Sequence, residues 1–470
     1  MWGRMQWTGL WSMMAGFLQA APIADVDELI RVLGEAGEAG EGDVVELGPG
    51  RFELKAPLKV ASGVTLRGAG MDQTTLTGEA GWEGNPATLP DPETQREKFD
   101  RSGYLIHLEP KGSGITISNL HLTGERLHGA IFGSGNSNLR LDHLKIEDFL
   151  YCGIRTYSTT GASIHDCVFI DAGQRWERGK PGVKGGITGG GIFAIWIKDS
   201  EIFNNRFLRT KTAPNEHYYG IKGRQGKRLR IHHNTIETNF SIEFPFENDE
   251  DVEIDHNVLH GTVSIPKHAG GPVPTSGRTF HIHHNLFQNS YAIEFVRNGV
   301  EIDHNLFDFD PANDHGNLIS GFGKAAAKGP AVFHNNLVRN PGRGVIWINE
   351  PFSNLVVRNN HIKAVTTGTP RKDGLFGFHP ESGFPTIVIR DNRIECEGVA
   401  RPLLRNKESL NAGIENNGLT GVADEDDYAN PKADRPQGLL EPLEFACGVD
   451  GEVRVEGWSV TPATDAGREE

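Results

Sequence analysis

Residues 282–287 read IHHNLF and residues 302–307 read IDHNLF. The same phrase, apolar-x-x-Asn-x-apolar, returns as IFNNRF (202–207), IHHNTI (231–236), IDHNVL (254–259), FHNNLV (333–338), VRNNHI (357–362), IRDNRI (389–394) and, weakened, IENNGL (414–419). Its asparagines are Asn205, Asn234, Asn257, Asn285, Asn305, Asn336, Asn360, Asn392 and Asn417, spaced 20 to 32 residues apart. A fixed phrase with elastic spacing marks a solenoid whose coils carry loops of different length. Upstream, Leu120, Leu144 and Cys167 fill the same slot in ISNLHL, LDHLKI and IHDCVF, which makes about twelve coils readable.

Each phrase is short and rich in Ile, Val, Phe and Leu, which suits a strand of five or six residues. Helical repeats would need long 3.6-residue periodicity, and leucine-rich repeats would put Leu where this chain alternates Ile and His. The expected fold is therefore all-β: a single parallel β-helix of about twelve coils, opened by a short N-terminal helix. Equivalent residues of successive coils stack about 4.8 Å apart, giving a rod of roughly 55–60 Å. An Asn at an inward turn can bond to its neighbours above and below, so its amide is satisfied although buried. A second strand follows in each coil, seen in AIWIK (194–198), YGIKG (219–223), FSIEF (240–244), VSIPK (263–267), YAIEF (291–295), NLISG (317–321) and GVIWI (344–348).

The 470 residues include 59 Gly and 25 Pro. Length alone suggests two or three domains, but a solenoid is one elongated core. Residues 1–24 read as an export signal: Arg4, an apolar run from Trp7 to Leu18, then Ala20, Ala21 and Ala24. Secreted or periplasmic localisation follows, with an uncleaved membrane anchor as the alternative. No other stretch is apolar enough for stable membrane insertion. Residues 25–34 (DVDELIRVLG) predict the capping helix, with Asp25 as N-cap and Gly34 as stop. The β-helix is expected over 25–420 and an acidic capping or tail segment over 421–470. Polar text at 79–103 and the Gly-rich, basic 172–191 read as loops projecting from coils. Cys167 occupies the ladder slot as a small buried hydrophobe, and none of the four Cys has metal-type spacing.

Charge is unevenly placed. The chain carries −15, yet residues 175–230 hold thirteen basic residues against four acidic ones, so that segment is +9 and the remainder −24. A positive belt on an acidic rod concentrates anionic ligands. Nucleic acid fits poorly, because the rest of the chain would repel it. An acidic polysaccharide or oligosaccharide, met by a monomer, fits both the charge and the export signal.

Alternation puts every second residue of the second strand on the outer face. Aligned on an inward Ile, one outward column reads Phe132, Arg155, Trp196, Lys222, Glu243, Pro266, Glu294, Ser320 and Trp347. A second reads Ser134, Tyr157, Lys198, Arg224, Pro245, His268, Val296, Phe322 and Asn349. A water-facing stripe should be Thr, Ser and Lys. This one gathers aromatic and charged groups, and exposed Trp and Tyr stack on sugar rings. The bland account is an exposed Lys222–Glu243 ion pair worth about 0–1 kcal/mol. The doublets His232–His233 and His283–His284, with His256 and His304, precede the turn Asn in coil after coil and read as structural. No metal site is assigned to them.

SGVTLRGAG (62–70), the N-terminal helix and the Asn-marked coils resemble the pectate-lyase-like right-handed parallel β-helix superfamily over roughly residues 25–420. That resemblance implies the fold and its hand. It is weak for activity, since this fold hosts lyases, hydrolases, epimerases, esterases and non-enzymatic proteins. The polygalacturonase, mannuronan-epimerase and classical pectate-lyase motifs are absent. NEHYYGIKGRQ (215–225) is the nearest chemical analogue of a lyase site, with His217, Tyr218, Lys222 and Arg224 close together.

Three functions follow. The first is β-elimination on a uronic-acid polysaccharide. Arg224 neutralises the carboxylate, Lys222 is the base with its pKa lowered by neighbouring cations, and His268, His217 and Tyr218 are in reserve. Arg155, Tyr157, Trp196, Lys198 and Trp347 would bind substrate. Calcium is the one conceivable cofactor, through Glu243 or the Glu247–Asp251 turn. The second is inverting hydrolysis by Glu243 and Glu294, two coils or about 10 Å apart. The third is carbohydrate binding without chemistry.

Overall fold

The computed structural model describes residues 22–36, 42–82, 103–173, 189–210, 218–244, 249–265, 278–288, 291–294, 299–310, 316–320, 331–348, 354–366, 374–378, 386–405, 411–423, 442–447 and 451–459. Residues 1–21 of the expected export signal, residues 83–102 of the loop expected over 79–103, most of the basic insertion, His217, Glu247, His268 and the last eleven residues lie outside them.

Apart from one helix and a final antiparallel pair, the strands of the described residues are short, parallel and stacked three to a coil. The first face runs from Val44–Glu46 to Asn411–Glu415 and the second from Gly50–Leu54 to Gly418–Thr420. Thr116–Thr123 and Arg140–Glu147 pass from first to second face as continuous strands, which joins both ladders into one 26-stranded sheet. The third face is a separate sheet of 13 strands, from Leu58–Val60 to Leu404–Arg405. The helix Val26–Glu35 has Asp25 at its N-cap, whose carboxylate accepts from Glu28 N at 2.8 Å. Its Leu29 and Leu33 join the core beside Gly50–Leu54 and Leu58–Val60. Pro442–Cys447 and Gly451–Ser459 form an antiparallel pair of their own.

The core is built from columns of like residues. On the third face Ile106, Ile131, Ile154, Ile192, Ile221, Ile242, Val263, Ile293, Ile319 and Ile346 follow one another in register, all buried. β-Branched side chains fit this pleated stacking and lose little χ1 freedom on burial. Phenylalanine rings stack likewise: Phe169 on Phe207 at 4.6 Å and Phe287 on Phe307 at 4.7 Å.

The recurring asparagine sits at the bend between first and second faces. The residue before it is left-handed in every coil from Asn204 to Asn416, with φ from +51° to +57°. Asn, Asp and His tolerate that conformation better than most non-glycine residues, which explains the x-[His/Asn/Asp]-Asn spelling. The Asn itself is fully buried and fully bonded. Asn257 N and Nδ2 both donate to Asn285 Oδ1, at 3.0 and 2.9 Å, and Asn285 N and Nδ2 donate to Asn305 Oδ1 at 3.0 Å. Asn285 Nδ2 also reaches Ile254 O at 2.8 Å and His283 O at 2.9 Å. The chain of bonds runs unbroken to Asn417 and begins at Cys167 N, which donates to Asn205 Oδ1 at 3.0 Å. Cys167 holds the slot one coil earlier as a buried thiol.

Asn285→Ala removes an acceptor from Asn257 and a donor from two buried carbonyls. Each unsatisfied group costs about 1–3 kcal/mol. The variant should unfold several kcal/mol more easily than wild type in urea, whereas Asn416→Gly, which keeps the left-handed bend and leaves every ladder amide in place, should cost much less.

Candidate functional site

The outer surface of the third face carries the sequence-derived column, with two members replaced. Register gives Phe132, Arg155, Phe193, Lys222, Glu243, Ser264, Glu294, Ser320, Trp347, Gly377 and Arg405. Phe193, not Trp196, is the neighbour of Arg155 and Lys222. The inward residue of that coil is Ile192, whereas the sequence alignment used Ile195. Alternation alone cannot choose between two Ile residues of opposite parity. Ile195 instead joins Tyr157 and Arg224 in the second outward column. Trp196 has φ +55°, is 52% exposed and donates from Nε1 to the Gln225 side chain at the turn leaving the face. Lys198 begins Lys198–Phe203 on the first face, in register with Lys227. Ser264 takes the place expected for Pro266 for a different reason: Val263, not Ile265, pairs with Ile242 and Ile293, and since Val263 and Ile265 share a parity the difference is a shift of two residues along the same face.

The N-terminal half of the column is sealed. Arg155 is 2% exposed, and its guanidinium lies 5.2, 5.1 and 4.9 Å from the rings of Tyr151, Tyr157 and Phe193. Its Nε donates to Tyr157 Oη at 3.0 Å. Tyr104, Phe132, Tyr151, Cys152, Phe193, Ile195 and Tyr219 form a second apolar cluster here, outside the coil interior. Tyrosines alternate with glycines along it: Tyr104 lies over Gly129 and Tyr219 over Gly190, where a Cβ would collide with the ring. Burial pushes the Tyr104, Tyr151 and Tyr219 hydroxyls up, and the Cys152 thiol up to about 11. The Arg155 guanidinium is opposed by burial but held more firmly charged by Tyr151 and its neighbours. Arg155 and Tyr157 are therefore packing residues of an aromatic layer, not an open sugar-binding stripe.

Lys222 sits at the edge of this layer. Its Nζ is 2.8 Å from Glu243 Oε2, 5.2 Å from the Tyr219 ring and 5.6 Å from the Phe193 ring. Both partners of the pair are buried. The base assignment required cations around Lys222, and the structure supplies a carboxylate. Tyr218 is buried at the first position of its strand under the Arg209 guanidinium, at 5.6 Å, and burial followed by the Asp171 charge raises its hydroxyl. Beyond Ser264, itself buried, the column opens: Glu294, Ser320 and Trp347 are half-buried and Arg405 exposed. Trp347 lies across Gly377, with the Arg405 guanidinium 5.0 Å from its ring. Arg224 is half-buried on the same face as Lys222.

Among the described residues, five cations of the positive belt are paired with carboxylates. Arg206, Lys222, Lys227, Arg228 and Arg230 pair with Glu237, Glu243, Glu250, Asp199 and Asp255. These cations point from all three faces. Four of the five carboxylates lie past residue 230 in sequence, so pairing between neighbouring coils neutralises what linear counting separated.

The histidines form a lattice on the outer side of the first face. His233, His256, His284 and His304 stack at 5.0–5.1 Å, within 6° of parallel. Beside them the columns Arg230–Glu253–His281–Glu301 and His232–Asp255–His283–Asp303–His334 alternate acid with base. Burial opposes the charge of Asp303, but hydrogen bonds from His281 Nε2 (2.7 Å) and His304 Nδ1 (2.6 Å) win, leaving its carboxyl well below the usual range. Asp255 is lowered likewise by His256 and by both nitrogens of Arg230. Burial and then cationic neighbours lower His284 to about 3 and His232 to about 4. Glu253, His281 and His283 bring a ligand atom each within 4.8 Å of one another, and so do Glu301, Asp303 and His334.

A family model for the right-handed β-helix region matches residues 180–307. The chain is a right-handed parallel β-helix. No curated protein matches its sequence. Among solved structures, a surface adhesin of Streptococcus pneumoniae is 13% identical with TM-score 0.47, over 93% of this chain and 94% of that one. The catalytic domain of an α-1,3-glucanase is 11% identical with TM-score 0.43, over 85% of this chain, and is spanned over only 65% of its own length. A mannuronan C-5 epimerase module of Azotobacter vinelandii is 13% identical with TM-score 0.38, over 84% of this chain and 95% of that one. At these levels the likeness carries no functional argument.

The lattice sets a pH dependence. His232 and His284 titrate lower when folded than unfolded, so their contribution is complete above about pH 6.5 and declines toward pH 4–3 as the unfolded state takes up protons. Asp255 and Asp303 add a second loss below about pH 4, because their folded pKa values are depressed. The thermal midpoint should fall in two stages on acidification, and His284→Asn should flatten the upper stage.

Proposed function

We propose that the chain is an exported carbohydrate-active enzyme that hydrolyses an acidic polysaccharide laid along the outer third face. The observation that carries this is the register Glu243–Ser264–Glu294. It places two carboxylates on one face, two strand spacings or about 10 Å apart. Inverting glycosidases hold their carboxyl groups roughly 6.5–9.5 Å apart, leaving room for a water. Ser264, the residue between them, has a small side chain.

The division of labour follows from the surroundings. Glu243, ion-paired with the Lys222 ammonium at 2.8 Å, is assigned as the general base. Glu294, nearer solvent, is the acid. It protonates the glycosidic oxygen while Glu243 takes a proton from water, whose oxygen bonds to the anomeric carbon as the bond to the leaving sugar breaks. Trp347 offers an apolar surface two coils further on, and Arg224 and Arg405 supply positive charge for substrate carboxylates. Residues 1–24, with their apolar run, support export to where such polymers are found.

Elimination is the second possibility, favoured by Lys222 and Arg224 sharing one face of Tyr218–Arg224. Incubation with neutral glucans, alginate, pectate and glycosaminoglycans separates the two. New reducing ends without unsaturated-uronate absorbance support hydrolysis. Both signals together support elimination, and neither on any polymer rejects an enzyme of this kind. On an active substrate, Glu243→Gln and Glu294→Gln should each lower kcat about 10²–10⁴-fold with the circular dichroism spectrum unchanged. Trp347→Ala should raise KM several-fold with kcat nearly kept.

A further inference from the structure

We infer that Glu253, His281 and His283, on the first face, form a binding site for a divalent transition-metal ion of the zinc class, with one coordination position open to solvent. The three residues come from two adjacent coils: Glu253 pairs in register with His281, and His283 lies two residues further along the same strand. One ligand atom from each lies within 4.8 Å of the others, and the His281 and His283 rings are 4.0 Å apart. All three are partly exposed. Two imidazoles and a carboxylate are the ligand types that zinc and its neighbours take, three protein ligands leaving a fourth position.

The surrounding hydrogen bonds orient the rings as ligands need. His283 Nε2 faces Glu253 Oε1 at 2.9 Å, while its Nδ1 faces His284 Nδ1 at 2.8 Å. A proton on His283 Nδ1 donated to His284 would free Nε2 as a lone-pair ligand beside the carboxylate. His281 Nε2 donates to Asp303 Oδ1 at 2.7 Å, which leaves the lone pair on Nδ1. A ligand histidine whose second nitrogen donates to a carboxylate or another acceptor is the usual outer-shell arrangement of metal sites.

Two cations border the site. Arg230 lies 3.9 Å from Glu253 Oε2 but is committed to Asp255 by two hydrogen bonds. Arg278 Nη1 lies 3.3 Å from His281 Nδ1 and 4.0 Å from Glu301, so its guanidinium stands where a metal would bind. Glu253, Arg230 and Arg278 also line an open cleft of about 520 Å³, which gives an ion and its remaining ligand a route in. Arg278 is therefore a competitor, and its removal should act opposite to removal of a ligand.

The test is titration of the metal-free full-length protein with Zn²⁺ at pH 7 by calorimetry. The expected result is Zn²⁺ binding in the wild type with a component that weakens at least about tenfold in Glu253→Gln and His283→Ala and tightens in Arg278→Ala. Thermal midpoints measured without metal establish that each variant is folded, and Glu253→Gln keeps the side-chain shape should His283→Ala fail. Zn²⁺ binding that is absent, equal in wild type and Glu253→Gln, or no tighter in Arg278→Ala overturns the assignment.

Discussion

A buried primary amide at each bend holds successive coils in step. Asn205 through Asn417 each lend an oxygen to the coil before and a nitrogen to main-chain carbonyls, so a column of polar groups runs through the interior without loss. The left-handed residue in front of each Asn makes the bend, and the amide bonds fix where it falls. Once the bend is fixed, strand pairing on all three faces is fixed as well, because a slip of one residue would turn every side chain to the opposite side. Insertions between coils leave this untouched, which is why spacings of 20 to 32 residues coexist with one cross-section.

Register then decides chemistry that linear distance hides. On the first face it interleaves carboxylates and imidazoles so that each acid meets a base above or below it, as Asp303 meets His281. On the third face it sets Lys222 against Glu243 and carries the column on through Ser264 to Glu294. It also gathers Tyr104, Cys152 and Tyr219, far apart in sequence, into an aromatic layer outside the coil that encloses Arg155. A cation in such a layer is held by ring faces and phenol oxygens, a packing role for a residue that reads as a ligand in isolation. The open half of the face begins only where that layer stops.

The repeat phrase, its strand composition and the interior position of Asn are all local properties, legible because the same six-residue environment recurs in every coil. Most of the outward column is legible too, since alternation is strict inside a strand. It fails at Trp196, where Ile192 and Ile195 are of opposite parity, and at Pro266, where Val263 and Ile265 share a parity and alternation cannot say which of them pairs with Ile242. The stacked imidazoles are visible as HHN and DHN, but whether a stack is only structural depends on which nitrogen meets which carboxylate, and composition does not contain that.

The amino-acid sequence alone determined that this chain coils, where each coil bends and which residues fill its interior, because those choices rest on short-range sterics and on apolar periodicity repeated many times over. Only the tertiary structure decided which outward groups are neighbours and which are covered: that Lys222 faces a carboxylate, that Arg155 is enclosed by rings, that Glu253, His281 and His283 converge. Those relations join residues of different coils through hydrogen-bonded pairing, and loops of unequal length between the coils remove any simple correspondence with distance along the chain.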